Sequence, residues 1–417
     1  MSSRKSARTI YYGWWVVLAC AVIQFYLGGT FFQGFSALFN PVAEEFDWSY
    51  ALVSLAFTFR GFESGIMAPI VGILVDRFGP RKLLFSGVII TGLGFWLFSR
   101  IHALWSFYGA FLFLALGLSL GTGVVTMAAV ARWFKKRSGL AMGILTSGFG
   151  ASGLLMPVVV QIVDNLGWRE AVVIFAVGTG VLCLPLALIV KDPPESYSGY
   201  SPPHEDHSLP AVKPYIDGMT SREIMKSRDF WLLSTAILFG GLAGQALIVH
   251  QIPYLVSVGV SRQTAGVLAI VFSLSNIVGR LLFGWLGDVL EKRRCFAVSA
   301  VIKAGGVLGF ALASRVGQFI PSLIALGIGF GGLIPLRPAL QIEFFGTRAF
   351  ATIQGLLMIA VTVGTIVSPV FAGWMFDVIN SYRPAFITLA MATLIVVPLI
   401  LAAHRGPSIP LATPKLT

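Results

Sequence analysis

Charge is scarce in this chain. Of 417 residues only 12% are Asp, Glu, Lys or Arg, where a soluble domain carries about 25%. Acidic residues are the rarer sign, 18 against 30 basic, for a net charge of +12. Cysteine is almost absent. Cys20, Cys183 and Cys295 stand in or beside apolar runs, at spacings that suit neither a disulfide framework nor a metal site. No glycine-rich phosphate loop, no nucleotide-binding domain and no soluble-enzyme constellation is present, so no cofactor or metal is expected and energy has to come from a gradient. What is abundant is apolar sequence, 56% of residues with a mean hydropathy of +0.83. A membrane protein with many spans is the class that fits. The positive charge lies in short loops between apolar runs, which points to topology in a lipid bilayer and away from nucleic acid.

Twelve apolar runs can be delimited, at about 12–38, 50–75, 83–99, 103–131, 139–165, 170–190, 229–258, 263–288, 295–313, 318–343, 349–376 and 384–403. Each is long enough to cross a bilayer as a helix. Residues 1–9 are basic and polar and the first run continues far past a signal-peptide core, which argues against a cleaved leader. Lys191 to Arg228 is rich in Pro, Ser and charge and reads as a flexible linker. The expected domains are therefore a six-helix bundle over 1–190, a linker over 191–228, a second bundle over 229–403 and a tail over 404–417. The two halves repeat. Gly72 and Asp76 recur as Gly284 and Asp288, and Gly143 recurs as Gly355, all at one common offset along the chain. Trp168-Arg169 recurs as Tyr382-Arg383 at almost the same offset. Such agreement indicates duplication of a six-helix unit. Arg4, Lys5, Arg8, Arg77, Arg81, Lys82, Arg132, Lys135, Lys136, Arg137, Lys292, Arg293 and Arg294 all fall on one side of this topology. That places both termini in the cytoplasm of a multi-pass protein.

Gln263 to Asp288 is apolar along nearly all its length yet carries Asn276 and Arg280 in its inner half. An arginine at membrane depth costs about 2.5–3.5 kcal/mol on insertion scales. Ser273, Asn276 and Arg280 are spaced by three and then four positions and share a helix face,. A guanidinium with an amide one turn away is a natural clamp for a carboxylate.

Several segments together resemble a known family. Gly72-Ile-Leu-Val-Asp-Arg-Phe-Gly-Pro-Arg-Lys82 is similar to the loop signature of the major facilitator superfamily. Tyr12-Gly13-Trp14-Trp15 and Arg132-Trp-Phe-Lys-Lys-Arg-Ser-Gly-Leu-Ala-Met-Gly143 resemble the two signatures of its monocarboxylate porters, and Arg280 in the eighth span completes the match. The resemblance covers the whole transmembrane chain. It implies a twelve-helix, all-α bundle with pseudo-symmetric halves that works by alternating access, as in bacterial homologues of the lactate and pyruvate carriers. The implied partners are a small monocarboxylate anion and a proton, and the implied state is a monomer. The alternative is an anion exchanger of the oxalate/formate type, which by resemblance uses a further cation in the eleventh span; Ala349 to Phe376 has none. A third reading, a transport-silent sensor, finds no signalling domain in the linker.

The resemblance assigns Gly72, Asp76, Arg77, Gly79, Arg81, Lys82 and Asp288 to loops that brace one conformation. It assigns Arg280 to the substrate carboxylate, against a structural ion pair as the bland reading. Where the animal carriers have an aspartate, this chain has Asn276, which cannot titrate and either bonds the substrate or holds the guanidinium. Tyr12 to Phe39 also lacks the lysine those carriers place in span one. Proton-coupling candidates are His250, Glu63 and Arg60. His250 titrates in the useful range, but it also suits a hydrogen-bonded interfacial position, and Arg60 with Glu63 equally reads as a local pair. His250 and Tyr254, one turn apart, are also substrate-site candidates. Leu145 is a candidate apolar wall, and Gly28 lines the site or serves close packing.

Overall fold

The computed structural model describes residues 11–134, 137–193 and 219–403. Twelve helical rods follow one another in it. In the first half these are α1 (Tyr12–Phe39, helical onward to Glu45), α2 (Tyr50–Phe78), α3 (Pro80–Ser99), α4 (Leu104–Trp133), α5 (Ser138–Leu166) and α6 (Trp168–Ile189). In the second half they are α7 (Arg228–Ser257), α8 (Arg262–Val289), α9 (Lys292–Leu312), α10 (Val316–Phe345), α11 (Phe350–Ile379) and α12 (Arg383–Ala402). Among the described residues eleven are long and apolar enough to cross a membrane; α2, with 29 residues, carries Arg60 and Glu63 in mid-length. Large apolar side chains such as Trp105, Val181 and Val370 stay exposed, as expected of surfaces solvated by lipid rather than water.

Contacts divide the chain into two compact units, residues 1–67 with 73–214 and residues 68–72 with 215–417. The repeat seen in the motifs extends to their mechanics. Ser49 and Ser261 stand at the offset of the Gly72 and Gly284 pair. They cap α2 and α8 by accepting from Leu52 N (3.4 Å) and Thr264 N (3.2 Å),. Arg169 at the start of α6 donates to the Ile101 carbonyl (3.2 Å), and Arg383 at the start of α12 reaches the Ala313 carbonyl (3.5 Å). Ile101 and Ala313 stand at the same offset again. Each arginine ties the last hairpin of its unit to the end of an earlier one.

At the opposite helix ends the signature loops are held inside their own units. Gly79 takes φ +86°, a conformation glycine adopts without strain, and Pro80 opens α3,. Arg132, at the end of α4, donates to the Val75 carbonyl (3.3 Å) and pairs with Asp192 (3.0 Å). Asp76 is partly buried, while Arg77, Arg81 and Lys82 are exposed. In the second unit Asp288 is partly buried, Lys292 pairs with Glu343 at 3.0 Å, and Arg293 pairs with Glu291 and donates to the Ala403 carbonyl at 2.8 Å.

The described residues at the two ends of the segment 191–228 are tied to the helices beside them. Trp133 donates to the Lys191 carbonyl (2.8 Å), and Met219 N donates to the Phe345 carbonyl (3.3 Å). Thr220 caps a short helix, Ser221–Lys226, and its hydrogen bonds hold the Glu223 carboxyl below its ordinary pKa,. The middle of the expected linker, residues 194–218, and the expected tail, 404–417, lie outside the described residues.

In the second unit α10 packs against both α8 and α9. Its run Gly327-Ile-Gly-Phe-Gly-Gly332 makes this possible. A Cβ at Gly327 or Gly331 would strike the backbone of α8 at Phe272, Asn276 and Arg280, and one at Gly329 would strike α9 at Lys303 and Ser299. Small residues allow such backbone approach in lipid. Ser299 Oγ closes the α9 contact by donating to the Gly329 carbonyl at 2.7 Å. Gly331→Ala is therefore expected to cost about 1–3 kcal/mol and to lower the melting temperature in detergent. Gly305→Ala, with open space around it, is expected to leave the melt unchanged. Equal melts for the two variants would contradict the packing account.

Candidate functional site

The second unit holds a concentration of buried polar groups at the α8–α9–α10 contact. Arg280 and Asn276 are 7% and 6% exposed, and Arg280 Nε donates to Asn276 Oδ1 at 2.8 Å. Helical spacing brings the two side chains together, and the α10 glycines let α8 seat them inside. The amide therefore holds the guanidinium. Its Nδ2 is also buried and has no hydrogen-bond partner among the described residues, so Asn276 keeps a donor for something else. Ser273 is exposed instead, its hydroxyl turned back onto the Ala269 carbonyl at 3.0 Å.

Two further cations belong to this region, and the sequence reading missed the first. Lys303, midway along α9, is fully buried. Its Nζ donates to the Gly240 carbonyl of α7 at 2.6 Å and lies 5.0 Å from the centre of the Phe330 ring, a cation–π geometry. Arg337, toward the end of α10, is only 8% exposed, and its Nε has no hydrogen-bond partner among the described residues. It stands between Pro335 and Pro338, where two missing helix donors loosen α10. Arg337 is near enough to both Arg280 and Lys303 to repel each electrostatically. The signal for Lys303 was present: a lone lysine in an apolar run is as costly as the arginine that drew attention to α8.

The other candidates are placed as follows. His250 Nε2 lies 3.0 Å from the Pro369 carbonyl of α11. A carbonyl only accepts, so Nε2 carries the proton in this arrangement. The ring also meets Tyr382, 5.2 Å between centres. Tyr254 is not with the polar group. It is 1% exposed inside an aromatic core with Phe310, Phe319 and Phe386, and its hydroxyl donates to the Ala311 carbonyl at 2.8 Å. The single helical turn from His250 suggests a shared role, whereas the phenol itself is engaged by this core. In the first unit, Glu63 accepts from Ser119 Oγ at 2.9 Å, and the side chain of Arg60 lies outside the described residues. Leu145 is fully buried. Gly28 begins a π-helical turn, Gly28–Gln33, and a Cβ there would strike Ser152 of α5, so close packing accounts for it. Also in this unit, Gln24 donates to Thr126 Oγ1 at 2.5 Å, a buried polar pair without a prior expectation. Among the described residues no group of His, Cys, Asp and Glu is placed to hold a metal ion. An apolar groove of about 830 Å³ on α8, α9 and α10, walled by Leu282, Leu286, Val298, Ile302 and Ile328, includes none of the buried cations.

Residues 14–258 and 243–415 match the Major Facilitator Superfamily. The chain belongs to this superfamily. Among curated relatives, monocarboxylate transporter 12 of Mus musculus is 25% identical over 419 residues, covering 91% of this chain and 83% of that one. The oxalate:formate antiporter of Oxalobacter formigenes is 25% identical over 397 residues, covering 92% and 91%. Among solved superfamily structures, the E. coli fucose:proton symporter FucP matches with a TM-score of 0.72 at 16% identity, over 95% of this chain and 100% of that one. The proton:xylose symporter XylE matches with a TM-score of 0.71 at 12% identity, over 94% and 95%. The superfamily fold, a multi-pass helical transporter and not an enzyme, is thereby established for this chain.

Tyr254→Phe tests the division between core and polar group. Loss of one buried hydrogen bond is expected to cost about 1 kcal/mol of stability and to leave ligand affinity unchanged. A large affinity loss without a change in melting temperature would return Tyr254 to the site.

Proposed function

We propose that this transporter carries small monocarboxylates such as L-lactate or pyruvate together with a proton, by alternating access, with Arg280 binding the carboxylate. The observation that carries this reading is the buried Arg280–Asn276 pair, in which the amide orients the guanidinium and retains an unpartnered Nδ2 donor. A carboxylate offers two acceptor oxygens, which suit an arginine fork with an amide donor beside it. The names of the relatives support the same substrate class. In this reading His250 and Glu63, with Arg60, are the remaining titratable or charged candidates from the sequence. The paired signature loops, Asp76 with its basic neighbours and Asp288 in the second unit, set conformational balance rather than substrate choice. The same proposal takes residues 1–190 and 229–403 as the two bundles, with 191–228 between them and 404–417 as the tail. It sets both termini in the cytoplasm of a bacterial inner membrane and takes the working form as a monomer.

A second reading is exchange of one carboxylate for another, as in an oxalate/formate antiporter. Lys303 and Arg337 favour it, because extra buried positive charge beside Arg280 suits a dianion. The α11 cation that the resemblance would ask for is missing, but α9 and α10 supply others.

Uptake of labelled L-lactate into proteoliposomes of the pure protein distinguishes the two. Accumulation in empty vesicles under an inward proton gradient, abolished by a protonophore, is the expected result. Uptake confined to vesicles preloaded with carboxylate would favour exchange. Arg280→Lys keeps the charge but loses the fork, and is expected to weaken lactate binding by roughly tenfold to a hundredfold while the protein still inserts. Near-normal affinity in that variant would overturn the clamp.

A further inference from the structure

We infer that Lys303 is the residue that takes up the coupled proton, gaining it when a carboxylate arrives at Arg280 and giving it up when the carboxylate leaves. This rests on the symport reading above and names its proton site. Lys303 is fully buried on α9, with one hydrogen bond to the Gly240 carbonyl and the face of Phe330 beside it. No carboxylate pairs with it among the described residues.

The charged groups at mid-length on the surrounding helices are cations. From α8 comes Arg280 and from α10 comes Arg337; α7 has no charged or titratable residue between Asp229 and His250, and α12 has none after Arg383. Asp288 and Glu343 stand at the helix ends, and Glu343 is already paired with Lys292 at 3.0 Å. On α9 itself the other charges are Lys292, Arg293 and Arg294, all at its first turn. Two guanidiniums and an ammonium thus share one desolvated region, and the helices that enclose it bring no acid at mid-length. A guanidinium does not shed its proton in a protein, whereas an amine does. Burial of the ammonium and its repulsion by Arg337, which also acts on Arg280, are therefore relieved at Lys303. An anion at Arg280 offsets that repulsion and makes the ammonium form stable again. By linkage the proton at Lys303 strengthens anion binding by the same factor. Anion and proton then enter and leave together, and the loaded protein carries no more net charge than the empty one. This supplies what Asn276, as an amide, cannot.

The bland alternative is a tether: Lys303 Nζ simply holds α9 to α7 through Gly240. Lys303→Gln separates the two, because glutamine keeps a donor for the carbonyl but cannot titrate. Two measurements are made on the pure protein. Proton uptake on adding L-lactate is followed in weakly buffered detergent solution. Accumulation and counterflow are followed in proteoliposomes. The wild type is expected to take up about one proton per lactate bound and to accumulate lactate about tenfold under a gradient of one pH unit, since one unit of pH corresponds to a factor of ten in equilibrium. Lys303→Gln is expected to bind lactate without proton uptake, to show counterflow in preloaded vesicles, and to lose accumulation. Lys303→Met, which fills the space without a donor, should lose the same proton uptake. Unchanged proton uptake and accumulation in Lys303→Gln, beside a symporting wild type, overturns this inference alone. A wild type that binds lactate with no proton, or binds no carboxylate, overturns the symport reading, and this inference with it.

Discussion

The second unit depends on backbone contact. Where α10 presents glycine at residues 327, 329 and 331, α8 and α9 approach until main chain meets main chain. No hydrophobic force drives helices together in lipid, so this close packing and the hydrogen bonds it permits have to supply the cohesion. The same contact decides where the polar side chains go. Asn276 and Arg280 lie on the stretch of α8 that touches Gly331, and Lys303 lies on the stretch of α9 that touches Gly329. Packing and chemistry thus share one set of residues.

Away from that contact, each unit is closed at its ends by arginines and lysines that find acceptors within the unit. Arg169 and Arg383 secure one set of helix ends, and Arg132, Lys292 and Arg293 the other. These are partly exposed pairs, individually modest in energy. Their consequence is geometric: the ends of hairpins distant in sequence are held in register, so each unit has few independent parts.

Much of this was legible in the sequence. The twelve rods agree with the apolar runs to within a few residues at most ends, because runs of about twenty apolar residues have a single low-cost structure in lipid. The signature motifs pointed correctly to the superfamily. Arg280 stood out because its burial is expensive, and Asn276 because helical spacing places it alongside. Lys303 followed the same logic but lay outside any familiar motif. Tyr254 and Gly28 show the opposite limit. One-dimensional spacing tells which residues share a face, but not whether that face meets a cavity or a neighbouring ring. Tyr254 lies against Phe310 and Phe386, and Gly28 against Ser152. In the segment 191–228 polar composition alone does not reveal that Thr220 caps a helix and Asp192 pairs with Arg132.

The glycine contact also bears on how such a protein diversifies. Along residues 327–332 an atom added to any of the glycines meets a neighbouring helix, so that strip tolerates almost no substitution without displacing one. A lineage adapting to a new ligand has little freedom there and has to vary the helices that do not share it. Gly241 on α7, with open space around it, and the exposed positions of α11 are of this kind. The cationic centre would then persist as an inherited constant while the helices around it drift, and relatives would differ in what they carry before they differ in how they hold its charge.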